Sequence, residues 1–201
     1  MKLKKLKKVL ALSLSALICM SAVGCSSSSA GEGTENKDQI VYACTKDIRD
    51  INPHLYGGEM SAQNMVFESL VKETEKGIEP CLAESWEISD DGKEYTFYLR
   101  KDVKFTDGEK FNAEAVKLNM DAIVSNIERH SWLDMVNEIE ENVVVDEYTF
   151  KLVLKHAYYP TLTELALVRP FRMISPKCFI DAETKNVVNA YAETGPYALS
   201  G

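Results

Sequence analysis

Apolar and polar positions alternate most clearly in two stretches of the chain, and both read as β-hairpins. In "CLAESWEISDDGKEYTFYLRKDV" (81–103), Tyr95, Phe97 and Leu99 share one face against Thr96, Tyr98 and Arg100. An Asp-Asp-Gly-Lys turn precedes them, so the pattern predicts two paired strands. In "ENVVVDEYTFKLVLKH" (141–156), Tyr148, Phe150, Leu152 and Leu154 alternate with polar neighbours in the same way.

Between the hairpins the period lengthens. Val116, Met120, Ile123 and Ile127 recur at i, i+4, i+7 and i+11, the stripe of an amphipathic helix. Asp107-Gly108 marks a turn ahead of it, Asn112 suits the N-cap, and Glu114 suits the positive end of the helix dipole. Shorter signals complete the picture. "QIVYACT" (39–45) reads as a strand, and "SAQNMVFESLV" (61–71) as a helix whose Met65, Val66 and Leu70 share a face. "YYPTLTELAL" (158–167) reads as a short helix with Pro160 in its first turn, and "RPFRMISPKCF" (169–179) as extended chain. Helices and strands are interleaved throughout, which places the fold in the α/β or α+β range.

The N-terminus follows a different rule. Five lysines within the first eight residues precede an apolar run of 12 residues, too short for the roughly 20 that cross a bilayer. The run ends in "SAVGC", small residues directly before Cys25, in the manner of a bacterial lipobox. Residues 1–24 are therefore expected to be a signal peptide and Cys25 a lipid-bearing mature N-terminus, with ordinary secretion as the alternative. Residues 25–37, rich in Ser, Gly and Glu, have the composition of a flexible linker. Removing the five lysines of residues 1–24 from 23 basic residues leaves 18 against 31 acidic ones, a formal charge of −13. That acidity argues against a nucleic-acid partner, which requires clustered cations.

Candidate chemistry is sparse. The sequence holds no GxSxG, HExxH, P-loop or GxGxxG, and His54, His130 and His156 are not at metal-ligand spacing, so no enzymatic activity is expected. Cys44, Cys81 and Cys178 form no CxxC pair and read as small buried residues. Trp86 reads as a core or interface residue of the first hairpin, and His156 as the exposed end of a strand. "IERHSWLDM" (127–135) is more suggestive, because Arg129, His130 and Trp132 converge in a connection after a helix. Arg169 and Arg172 of "RPFR" could grip carboxylates or form surface ion pairs.

Three segments together carry a resemblance: "DINPHLYGG", "LVKETEKGIEPCLAESWEISDDGKEYTFYLRKDVKFTDGEKFNAEAV" and "ETGPYALS". The chain from about residue 38 to 201 resembles the solute-binding proteins of ABC importers in the peptide/nickel family (family 5). "NPHLY", "RHSWL" and "YYPTLTELALVRPFRMISP" bring it closest to the nickel-binding branch. The resemblance implies a type II periplasmic-binding-protein-like, Venus-flytrap fold of class α/β, with residues 38–201 as an incomplete first lobe. It implies a monomer outside the cytoplasmic membrane, held there by the lipid on Cys25 and serving an ABC permease. The ligand implied is nickel or another transition metal, chelated by a small carboxylate such as histidine or a metallophore. Arg169 would grip the chelator's carboxylate and Trp132 would wall the pocket. Tyr56 and Met60 would line its start and Arg129 would add charge at the rim. His130 would be a bystander, and a direct metal ligand would lie in the second lobe. A di- or oligopeptide receptor of the same architecture, a haem-type flat anion in the same cleft, and a truncated or scaffolding lipoprotein remain open alternatives.

Overall fold

A computed structural model describes residues 50–185, 188 and 190–198. These belong to the unit Thr45–Gly201. The expected signal peptide, Cys25, the linker, Cys44 and the strand at 39–45 lie outside the described residues.

The two hairpins form as their alternation predicts. Strands β1 (Val71–Thr74) and β2 (Gly77–Pro80) make a small antiparallel ribbon. Strands β3 (Ala83–Ile88), β4 (Glu94–Leu99), β5 (Ile139–Asp146) and β6 (Thr149–Leu154) make one sheet in the order β3-β4-β6-β5. Each pairing is antiparallel. The two predicted hairpins meet at its centre, where Phe97 pairs with Phe150 and the rings stack 6.3 Å apart. Tyr95, Phe97, Leu99, Phe150, Leu152 and Leu154 are all buried on one face. Tyr148 falls in the turn before β6 and packs at the edge of this core, as does Trp86.

Against that face packs the long helix α2 (Ala113–Ser125), preceded by α1 (Met60–Val66) near the start of the described chain. Asn112 caps α2 by accepting from the Ala115 N–H at 2.9 Å, and Val116, Met120 and Ile123 are fully buried. The expected fourth member of the stripe, Ile127, is 38% exposed. The helix stops at Asn126, and Ile127 begins a separate turn, α3 (Ile127–His130). Two further short helices follow: α4 (Asp134–Glu138) and α5 (Thr161–Leu165). Pro160 occupies the N-cap of α5 rather than its first turn. Helix α1 is also shorter than the sequence pattern suggests. It ends at Val66, and Val71 already belongs to β1, because the apolar run serves two elements in succession.

The "RPFRMIS" segment has no regular secondary structure, and much of its backbone is bonded from neighbouring elements, although the buried Arg172 Nε has no partner among the described residues. Asn119 of α2 grips Ile174 twice: its Nδ2 donates to the carbonyl at 2.9 Å and its Oδ1 accepts the N–H at 3.0 Å. Met173 N–H donates to Glu68 O and Ser175 N–H to Ala192 O. Gly195 donates to Val66 O at 2.9 Å, and a Cβ there would stand 2.3 Å from that oxygen. Only glycine permits that approach. Among the described residues no helix is long and apolar enough to cross a membrane.

Candidate functional site

The site grows from the loop before α1. Asn52 folds it: Oδ1 accepts from His54 N–H at 3.0 Å and Nδ2 donates to Thr184 O at 2.9 Å. Its carbonyl accepts from Leu55 N–H and from the Gln63 side chain of α1. This Asx-type turning buries residues 51–55 and brings Tyr56 to the surface. His54 is sealed beneath, with Nδ1 2.6 Å from Thr184 Oγ1 and Nε2 3.1 Å from Arg172 O. A carbonyl can only accept, so Nε2 carries the proton and Nδ1 accepts from the threonine hydroxyl. Burial lowers the His54 pKa to about 4.

Arg169, more than 100 positions along the chain, reaches the same loop. Its Nε donates to Gln63 Oε1, one terminal nitrogen to Tyr56 O at 3.1 Å and the other to Gly58 O at 3.0 Å. Gly58 holds φ at +74°, and a Cβ there would collide with Asp50 O at 1.5 Å. The loop thus requires glycine at the residue whose carbonyl Arg169 takes. Three of the five guanidinium N–H groups are used in these bonds, which leaves two for a ligand. Burial lowers the Arg169 pKa from its ordinary value, against the pull of Glu59 and Asp50.

Trp132 and Arg129 arrive from the α3 region. The turn after α3 is pinned where Asn137 Nδ2 donates to Ser131 O and Leu133 O, each at 3.1 Å, and Leu133 is buried. Trp132, between those two residues, is 61% exposed and stands against Tyr56 with ring centroids 5.7 Å apart. Arg129 is exposed on α3, and its charge is felt at both Tyr56 and His130. Met60 is half-exposed at the start of α1, one turn before Gln63. The structure therefore gathers Tyr56 with Trp132, and Tyr56 with Arg169, through direct contacts. Arg129 joins them through charge, and Met60 through its place on α1.

His130, expected to be a bystander to the ligand, is fully buried, with Nδ1 2.7 Å from Tyr56 Oη and its ring edge-on to the phenol at 5.4 Å. Burial, reinforced by Arg129, lowers its pKa to about 4, so it is neutral at ordinary pH. Burial pushes the Tyr56 phenol above its usual value, opposed by Trp132 and by the charges of Arg129 and Arg169. Gln63, which holds the Arg169 Nε, is the residue sequence reading missed, although a polar residue on the buried face of α1 was a usable signal. Arg172 does not join the site. It is buried, donates to Phe67 O and Asn64 Oδ1, and lines a separate cleft of about 380 Å³ with Cys81 and Glu68. Cys81 and Cys178 are free thiols, and Cys178 is buried as expected. His156 lies at the exposed end of β6, 2.8 Å from Glu138.

The described residues thus set an open aromatic pair, Tyr56 and Trp132, beside Arg169 on a mixed helix–sheet fold. Residues 77–201 match the family described as bacterial extracellular solute-binding proteins, family 5 Middle, and the chain belongs to that family. It is 46% identical over 164 residues to the nickel-binding periplasmic protein of Escherichia coli (strain K12), covering 81% of this chain and 31% of that one. It is 30% identical over 190 residues to the glutathione-binding protein GsiB of Salmonella choleraesuis (strain SC-B67), covering 90% of this chain and 35% of that one. Among solved structures it is similar to NikA from Brucella suis in complex with Fe(III)-EDTA. The TM-score is 0.75 at 48% identity, over 77% of this chain and 32% of that one. The chain spans about a third of the length of these relatives.

Proposed function

We propose that this chain is part of an extracytoplasmic receptor of an ABC importer, one that captures nickel or another transition metal already wrapped in a small carboxylate chelator. Histidine or a metallophore would serve as the chelator, and the loaded complex would pass to the permease. Residues 38–201 form most of the first of two lobes in this reading, and Cys25 carries the lipid that tethers the protein outside the membrane.

The observation that carries the reading is the Tyr56–Trp132 wall beside Arg169 and Arg129 on an otherwise acidic chain. A chelate with surplus carboxylate is anionic and flat-edged. It stacks on an exposed indole, and the two unused Arg169 N–H groups offer it charge-assisted bonds. Arg129 raises the local positive potential, and the Met60 thioether gives a soft, adaptable edge. The E. coli relative is a nickel-binding protein, and the Brucella suis relative holds a carboxylate chelate of iron, which agrees with this ligand class. The likeness to a glutathione-binding protein supports a second reading, a peptide-type ligand in the same place.

Titration calorimetry on the protein expressed from its complete reading frame separates the two. Heat on adding nickel with histidine, and none with nickel alone or with a dipeptide, is the expected result. Equal binding of a metal-free dipeptide or glutathione rejects the chelate reading.

A further inference from the structure

Every group that converges on the Tyr56 hydroxyl bears on where its proton can point. His130 Nδ1 lies 2.7 Å from Tyr56 Oη, while His130 Nε2 is buried with no hydrogen-bond partner among the described residues. A neutral imidazole carries one N–H and one bare nitrogen, so two arrangements are available. With the proton on Nε2, a buried donor would be stranded. Buried N–H groups without acceptors are rarer than under-used acceptors, because a stranded donor loses its water and gains nothing. With the proton on Nδ1, the histidine donates to Tyr56 Oη and only a lone pair goes unused.

The second arrangement has a consequence at Tyr56. Its oxygen accepts from His130, so its own O–H cannot turn back toward that ring. Trp132, packed against the phenol, has an indole N–H that donates and no acceptor. Arg129 and Arg169, whose charges act on Tyr56, are likewise donors without acceptors. The side chains that act on the phenol from these elements therefore offer its proton no acceptor, and Tyr56 is partly open to solvent.

We propose that His130 is a positioning residue: as the Nδ1–H tautomer it holds the Tyr56 oxygen and turns the hydroxyl proton outward, as a neutral donor for a carboxylate oxygen of the bound ligand. The consequence is selectivity. An anionic chelate presents an acceptor there and is bonded, whereas the ammonium end of a peptide presents donors and meets only other donors. This rests on the receptor reading above, and its tests are separable from that reading.

Nitrogen-15 NMR of the histidine-labelled full chain reads the tautomer without any ligand, with His130 assigned by its loss in His130→Asn. The Nδ1–H pattern is expected, and an Nε2–H pattern overturns the proposal. Calorimetry with nickel and histidine then compares variants whose folding is confirmed by thermal melts. Tyr56→Phe is expected to weaken binding about tenfold or more. His130→Leu should match it, while His130→Asn, which keeps an N–H near the Nδ1 position, should restore most of the loss. A Tyr56→Phe protein that binds as well as wild type, or an asparagine variant no better than leucine, overturns it. Wild-type protein that ignores nickel–histidine refutes the receptor reading, and the tautomer then decides the role of His130.

Discussion

Two buried histidines, His54 and His130, mark two regions built by one loop, and they differ in how far their hydrogen bonding is completed. His54 uses both ring nitrogens, one on Thr184 and one on Arg172, within a network that also closes Asn52. His130 uses one nitrogen, on Tyr56, and leaves the other bare. Both are held neutral by burial, with pKa values lowered to about 4. The first region is scaffold, where both ring nitrogens of the histidine are closed internally. The second leaves open the groups that face outward: two Arg169 N–H groups, the Tyr56 hydroxyl and a Trp132 ring that is 61% exposed. A fold that satisfies one side of a loop and not the other has room for a ligand on the unsatisfied side.

The harshest way to break this division is Gly58→Ala. The new Cβ would meet Asp50 O at 1.5 Å in a left-handed conformation, so the loop must move and both regions lose it. A loss of about 4 kcal/mol is expected in urea unfolding.

Leucine at each histidine sharpens the contrast. His54→Leu strands the Thr184 hydroxyl and the Arg172 carbonyl and should cost about 3 kcal/mol. His130→Leu removes one bond and one orphan nitrogen and should cost about 1 kcal/mol. Equal losses from the two would erase the distinction. Acid gives a related test. Both folded pKa values lie below the ordinary 6.5, so the unfolded chain takes up protons first as pH falls. Stability is then full above about pH 6.5 and declines toward pH 4, by roughly 3 kcal/mol for His54. Urea midpoints across that range should show the slope, and His54→Leu should remove about half of it, the other half belonging to His130.

Smaller effects fall on the open side. Arg169→Lys cannot reproduce a planar fork that serves three acceptors, and ligand affinity should drop about tenfold by calorimetry. Trp132→Ala should leave the melting temperature almost unchanged, within about 0.5 kcal/mol, because the ring is mostly in solvent. Its ligand binding should nonetheless be weakened, and a large stability loss would place Trp132 with the scaffold.

Much of the scaffold was legible because burial leaves a period. The hairpins of Phe97 and Phe150, the Asn112 cap and the Val116–Ile123 stripe each repeat a local rule. The errors arose where the local rule was cut short. Ile127 kept the helical spacing but not the helix, since α2 ended at Asn126. The run around Val66 continued past α1 into β1, because both elements are apolar. The ribbon of β1 and β2 left no alternation long enough to read.

The site was legible only as a set of residue types. Tyr56, Met60, Arg129, Trp132 and Arg169 come from the resemblance to the solute-binding family, and only the loop tryptophan beside a cation is a hint the residues give unaided. Which contacts bind them could not be named. Gln63 and Arg169 are 106 positions apart, and Tyr56 and His130 are 74 apart. No local pattern encodes such distances. The sequence by itself determined the elements, the caps and the cast of side chains, because those follow from interactions between near neighbours. Only the tertiary structure decided that Arg169 spends three donors on a loop and that His130 is the partner of Tyr56. Those outcomes depend on which distant surfaces the packed core brings together, and on which polar groups it leaves without a partner.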